Sequence, residues 1–391
     1  MLALGLCSAA PAQGVLNVKN PAALQLDFTG AYAQASTFQA NDPVLLRQFD
    51  GAWAGPYTPR GGNNPGSNLA LHNASAEVGV QWGRPFNLPV AVRLATLQTG
   101  FSLMEFNRDT ADLARQNLQK LGYDLGRTYA IDYHLVGYEA SGIKAGFAYA
   151  PSWSGPWTLK LGASVASLKA QRLKLSDATG QVTTLTTKDF NANVQRSTSD
   201  SALDQYNLDS FNAPFGRHTN PAGAGFTTEF GFTLAHATSG LSLDLAISDL
   251  WGSIHWSGVP RNAEAYNTAT KYFDSSGYVQ FNPTSTRVSS FQDFEQRLDP
   301  RLRVALKYSH AVWDVEAATS MVKGYNFPEL SLGYAATRQW RMVLAYEPRF
   351  QTFAISVQYK NWLLLELRTD NADLEAARAM GLRVVAQIPF N

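Results

Sequence analysis

Arg301-Leu302-Arg303-Val304-Ala305-Leu306-Lys307-Tyr308-Ser309, a turn at His310-Ala311, and then Trp313-Asp314-Val315-Glu316-Ala317-Ala318-Thr319-Ser320-Met321 is the stretch that decides the fold. Leu302, Val304, Leu306 and Tyr308 fall on one side of an extended chain; Arg303, Ala305, Lys307 and Ser309 fall on the other. Successive side chains of a strand point to opposite faces, so one face here is apolar and the other is wet. Past the turn, Trp313, Val315, Ala317, Thr319 and Met321 repeat the pattern against Asp314, Glu316, Ala318 and Ser320.

The same period runs outward in both directions. Toward the carboxyl end it continues through Leu330–Ala336, Met342–Glu347, Phe353–Tyr359 and Leu363–Arg368 to Leu382, Val384, Ala386, Ile388 and Phe390. Toward the amino end it recurs at Leu24–Thr29, Val78–Trp82, Phe226–Leu234 and Leu241–Ser248, with weaker candidates near 88–97, 127–138, 142–151, 156–175 and 181–190. Segments of about 9 to 11 residues span a bilayer when tilted and exceed the usual soluble strand. Trp313, Tyr334, Trp340, Tyr346, Tyr359 and Trp362 fall at strand ends, as interfacial girdles require, whereas a soluble sandwich buries its aromatics mid-strand. The pattern predicts an all-β transmembrane antiparallel β-barrel of about 14–16 strands with long extracellular loops.

Composition agrees. Only 16% of the 391 residues are charged while 12% are aromatic, and the net charge of +1 lacks the basic footprint of a nucleic-acid binder. The single cysteine, Cys7, excludes a disulfide framework and a cysteine-based zinc site. Met1 to Gln13 is an apolar run ending in Ala10-Pro11-Ala12, which reads as residues 1–12 of a signal peptide remnant, cleaved after Ala12. Residues 13–391 then form one outer-membrane barrel domain in a bacterial outer membrane, with lipid as its surroundings.

The connections alternate. Tight ones are expected at 84–87, 139–141, 176–180, 237–239, 310–311, 338–339 and 361, and long ones at 36–70, 98–126, 191–224, 251–298 and 370–380. Segregation of turns from long loops is expected of an outer-membrane barrel with its turns in the periplasm. Two long loops carry helix signals. Asp109-Thr110 precedes Leu113, Leu118 and Leu121 and a closing Gly122, and Asp370-Asn371 precedes Ala372–Met380 and Gly381.

Asn20-Pro21-Ala22-Ala23-Leu24, just before the first alternating strand, resembles the NPAxL signature of the FadL-like outer-membrane transport superfamily. The segment Phe226 to Ile254 also resembles a strand pair of uncharacterised members. The resemblance implies a barrel of about fourteen strands, an amino-terminal plug in the lumen, and capture of hydrophobic molecules by extracellular loops for sideways passage into the membrane. The chain departs from that pattern in one respect: only Gln13–Lys19 separates the cleavage point from the motif, so the usual hatch is nearly absent. The ending Val384, Ala386, Ile388, Phe390 resembles the signal read by barrel-assembly machinery, although Asn391 follows the aromatic.

The wet faces place Asp244, Arg303, Lys307, Asp314, Glu316, Arg341, Glu347, Glu366 and Arg368 toward the lumen, with mixed signs that favour cross-strand pairing over a single-sign ion pore. Catalysis finds little support. His72…Ser75 and His236…Ser239 have an offset of three where strand neighbours need two, and neither GxSxG nor HExxH occurs. No enzyme activity, metal or cofactor is expected. Uptake of small hydrophobic molecules is the preferred function, with Phe101, Leu103, Met104, Phe106, Leu113 and Leu118 as ligand contacts, since an apolar cluster in an exposed loop calls for a partner. A structural or secretion-accessory barrel and a general porin are the alternatives.

Overall fold

The computed structural model describes residues 14–41, 68–118, 123–151, 155–185, 190–200, 222–268, 271–281, 284–374 and 377–390. The signal segment 1–12 with Cys7, and Leu121, Gly122 and His218, lie outside them.

From the amino end the chain forms β1 (Gly30–Asn41), β2 (Asn68–Gly83), β3 (Val90–Phe106), α1 (Arg108–Leu118), β4 (Thr128–Tyr149), β5 (Trp157–Thr184), β6 (Phe190–Asp200) and β7 (Ala222–His236). It continues through β8 (Leu241–Ser248), β9 (Ser253–Asn267), a small hairpin of β10 (Lys271–Phe273) and β11 (Val279–Phe281), β12 (Ser285–Arg297) and β13 (Arg301–His310). The last six are β14 (Trp313–Val322), β15 (Tyr325–Ala335), β16 (Trp340–Glu347), β17 (Thr352–Tyr359), β18 (Leu363–Thr369) and β19 (Ala379–Pro389).

Among the described residues, all strands but the small hairpin belong to one sheet of seventeen segments. The sheet closes on itself because β1 pairs antiparallel with both β2 and β19, Ala40 lying opposite Leu71 on one side and Ala379 on the other. Three pairs of segments share one place in the ring. β5 pairs with β7 along its first half and β6 along its second; β13 and β12 likewise follow β8 and β9. The seventeen segments therefore make fourteen passes round a closed barrel.

Closure removes free sheet edges, and the alternation sorts the side chains. Leu306, Val315, Leu332, Leu344, Ile355 and Leu365 are exposed on the outer face. Beside the short turns this apolar belt is rimmed by ring pairs, Trp313 with Tyr334 at 4.7 Å and Trp340 with Tyr359 at 4.8 Å between centroids. At the opposite end Tyr346 meets Phe353 at 4.8 Å. An apolar band between two aromatic rims is the outer surface of a membrane barrel.

Several expectations need correction, among them the loop expected over 251–298, which carries β9 and β12, and the strand expected over Leu24–Thr29, which precedes β1 and lies outside the sheet. Residues 98–106 are not loop but the second half of β3: Phe101 and Leu103 are buried on one face and Met104 and Phe106 on the other, so a strand apolar on both sides hid its own period. The turns expected at 139–141 and 176–180 do not exist. β4 is hydrogen-bonded along both edges through Ser141-Gly142, and β5 runs unbroken past Gly180, so glycine and serine there mimic turn composition inside a sheet.

The helix expected over Ala372–Met380 is also missing among the described residues, and one loop rather than two carries a helix. Asp370 uses its carboxylate to accept from the backbone N–H groups of Arg378 (2.8 Å) and Ala379 (3.0 Å), stapling the loop ends instead of capping a helix. Finally, α1 is capped two residues earlier than expected. Asn107 is its cap, its Oδ1 accepting from the Thr110 N–H at 2.8 Å. Asp109 instead accepts from the Ala130 N–H at 3.0 Å, so the helix start covers the edge of β4.

Candidate functional site

The lumen is occupied by the chain's own amino-terminal segment. Asn17 closes a turn begun at Gly14, and Asn20 caps the short helical turn Pro21–Ala23, its Oδ1 accepting from the Ala22 N–H at 2.9 Å. Pro21 at the first helical position loses no bond that the turn needs. The other end of the Asn20 amide donates to Thr233 Oγ1, Asp244 Oδ1 and the Phe232 carbonyl, each at 3.2 Å, so one side chain shapes the segment and ties it to β7 and β8.

Glycine makes the close approach possible. A Cβ on Gly162 of β5 would stand 2.3 Å from the Ala22 nitrogen, and one on Gly231 of β7 would stand 2.1 Å from Asn20 Oδ1. Any larger residue at either position would push the segment away.

Charge fixes it further. Lys19 Nζ lies 2.8 Å from Glu77 Oε1 on β2, and Lys144 of β4 reaches the same oxygen at 2.9 Å and Glu229 of β7 at 2.6 Å. Asn17 donates to Ser75 at 2.7 Å, and Gln81 donates to the Gln25 carbonyl at 2.6 Å. The expectation of a nearly absent hatch is thus corrected: a short segment, residues 14–29, occupies the lumen, held there by Asn17, Lys19, Asn20 and the Gln25 carbonyl bonding to the wall.

The facing wall carries a second array. Arg303 pairs with Glu316 at 2.5 Å, Asp314 with Arg341 at 2.5 Å and Lys307 at 3.4 Å, and Arg368 with Glu329 at 2.6 Å and Glu366 at 3.4 Å. Glu347 instead accepts from the backbone N–H groups of Arg349 (2.8 Å) and Phe350 (2.9 Å), closing the turn after β16. Positive and negative groups alternate along this wall, which leaves it without a field of one sign.

Toward the long-loop end the interior turns apolar. Leu16 and Val18 of the inner segment pack with Phe38, Leu97, Phe101 and Leu103 in one buried cluster, which extends to Trp256 and Phe327. Phe327 and Phe350 stack at 5.6 Å, and Phe350 meets Phe38 at 6.0 Å. Two polar pairs sit among these side chains. The Arg301 guanidinium bonds Asp249 at 2.9 and 2.5 Å and lies 5.1 Å from the Phe101 ring, and Trp256 donates its indole N–H to Gln296 at 2.9 Å.

The structure divides the six residues named as ligand contacts. Phe101 and Leu103 line the interior. Met104 and Phe106 face the other way and pack with Ala70, Leu135 and Ala111 beneath α1. Leu113 is half-buried on the helix, and Leu118 ends it, its side chain outside the described ones. Sequence reasoning missed Leu16, Val18, Lys19, Glu77, Lys144, Glu229 and Trp256. The signal for Glu77, Lys144 and Glu229 was available, since each stands at a strand position facing the lumen. Leu16 and Val18 alternate with no strand to belong to.

Outside the lumen, Arg127 gathers Asp109 and Asp112, each at 2.9 Å, and Asp124 at 3.3 Å. Burial disfavours its charge, but the hydrogen bonds to Asp109 and Asp112 outweigh that and push its pKa up, so the cluster holds α1 against β4 over the working pH range. His134 pairs with Asp177 across β4 and β5, and His236 accepts from the Ser239 N–H at 3.2 Å in a turn. Among the described residues no group of three or more His, Cys, Asp and Glu could hold a metal ion.

A family model described as a family of unknown function, DUF5723, matches residues 84–391. No curated protein sequence matches the chain. Among solved structures, the chain is similar to the Pseudomonas putida toluene transporter TodX, at 10% identity and a TM-score of 0.44, over 96% of this chain and 94% of that one. It is similar to a Pseudomonas aeruginosa FadL homologue at 12% identity and 0.42, over 95% and 93% of the two chains. The Ralstonia pickettii toluene transporter TbuX matches at 11% and 0.37, over 95% and 92%.

Proposed function

The chain belongs to DUF5723, a family of unknown function, and we propose that it is an outer-membrane barrel through which small hydrophobic molecules enter the cell. The observation that carries this reading is the division of the lumen. Its long-loop half is lined by Leu16, Val18, Phe101, Leu103, Trp256 and Phe327, and its turn half is filled by an ion-paired segment. An apolar interior walled off from a polar plug suits a molecule with no charge to desolvate. The long loops face outward and the turns face the periplasm, and lipid surrounds the belt. Insertion would use the barrel-assembly machinery. No catalytic role is assigned; His134 pairs with Asp177, and His236 accepts from the backbone of its turn.

A general porin needs an open aqueous lumen, and the inner segment argues against one. A structural barrel remains a second reading, because Lys19, Asn20 and Asn17 tie that segment to β2, β7 and β8 as firmly as a permanent filling would require.

Uptake separates the two. Liposomes containing the refolded protein should take up the apolar dye phenylnaphthylamine faster than empty ones, and Phe101→Asp should remove the gain. Equal rates with and without protein would favour the structural barrel.

A further inference from the structure

β3 and β15 stand seven places apart in the ring of fourteen passes, on opposite walls of the barrel. Yet the Tyr325 hydroxyl at the start of β15 donates to Glu105 Oε1 on β3 at 2.8 Å. Lys323, in the turn joining β14 to β15, lies 3.8 Å from Glu105 Oε2 and 3.4 Å from Asp299 between β12 and β13. Opposite walls of an open fourteen-strand barrel cannot share a hydrogen bond. The β14–β15 turn and the outer end of β3 therefore meet across the long-loop end of the lumen.

They meet over the buried apolar cluster. Val322 and Phe327 on either side of the turn, and Leu103 two residues before Glu105, belong to one buried cluster. Arg349 lies 5.2 Å from the Tyr325 ring and 5.7 Å from that of Phe327, adding a third contact from the turn after β16. The turn itself is tight: Lys323 and Gly324 both have positive φ, 49° and 80°.

We propose that the β14–β15 turn is a strap that closes the outer mouth of the lumen by clamping onto Glu105, and that its release admits ligand to the chamber beneath. This rests on the reading of the lumen as a passage. The contacts that join the strap to Glu105 and Asp299 are polar. Glu105, Asp299 and Lys323 are partly exposed, so water can replace each contact and the clamp is reversible. The apolar cluster below cannot be replaced in that way.

The test reads mouth opening apart from transport. On a Cys7→Ser background, Leu103→Cys places one thiol beneath the strap, and its labelling by a maleimide is followed in the refolded barrel. Glu105→Gln with Tyr325→Phe should speed labelling about tenfold, the effect of losing a charge-assisted hydrogen bond. Lys323→Glu should also speed it by setting like charges together, and adding Glu105→Lys should slow it again by restoring a pair. Rescue by the charge swap is not what a merely misfolded variant would give. Labelling unchanged in all three variants overturns the strap. Faster labelling with phenylnaphthylamine uptake still equal to that of empty liposomes upholds the strap and overturns the passage.

Discussion

Lys19, on a segment inside the barrel, and Glu77, on the barrel wall, form a 2.8 Å ion pair in which the Glu77 side chain has no exposure at all. The same oxygen meets Lys144 at 2.9 Å. A carboxylate so placed is stable only because both cations are there. Both cations depend on it in turn, and Lys144 also on Glu229 at 2.6 Å. The pair ties the plug to the wall through charges that neither could carry alone.

Removing Glu77 is therefore costly. Glu77→Ala leaves Lys19 with no carboxylate at that distance and Lys144 with Glu229 alone, and should destabilise the refolded barrel by about 3 kcal/mol. Urea unfolding followed by tryptophan fluorescence measures this. A loss within about 0.5 kcal/mol of zero would mean that the charges are solvated rather than paired.

Gly162→Val attacks the plug without touching a charge. The added atoms would overlap the Ala22 nitrogen and the Pro21 carbonyl carbon, 2.3 and 2.4 Å from the position of a Cβ. The wall is held by β4 and β7 on either side of β5, so the segment is what must give. Ion-conducting steps should appear in planar bilayers where the parent shows none, and their absence would place the segment elsewhere.

Arg301 and Asp249 hold the wall where it is interrupted. Asp249 has φ 62° and begins the break between β8 and β9, and Arg301 begins β13 directly beside it. Arg301→Ala should cost about 3 kcal/mol by leaving a buried carboxylate unpaired. Arg301→Lys should recover only part, since an ammonium cannot supply the paired geometry. Full stability in Arg301→Lys, measured by urea unfolding, would reduce the guanidinium to a point charge.

Asn107→Ala removes the cap of α1 and should weaken that helix by about 1 kcal/mol while leaving the barrel's unfolding midpoint in place. Limited proteolysis reports the difference, with faster cutting between residues 107 and 127 as the expected result. A shift of the whole unfolding curve would show that α1 is part of the barrel's cooperative unit.

The barrel was legible wherever a strand meets lipid on one side and polar groups on the other, as at Arg303, Lys307, Asp314 and Glu316. It was obscured where both faces are apolar, as in the second half of β3, and where glycine and serine sit inside a paired strand, as at Ser141-Gly142. The inner segment was harder to see. Asn20-Pro21-Ala22-Ala23-Leu24 was noticed as a motif, but its role depends on Gly162 and Gly231, which are far off in sequence and only become neighbours on closure. Asp109 and Asp370 misled for one reason. Both carboxylates read as local caps and instead bond backbone across a loop.

The most direct test of a lumen sealed by its own amino-terminal segment is conductance of the refolded wild-type protein in a planar bilayer. Silence, with insertion verified by protease protection of the strands, is the result predicted by the Lys19–Glu77–Lys144 network and the apolar chamber above it. Large, stable ionic steps from the unmodified chain would contradict the account, because they require an open water-filled path where the segment is placed.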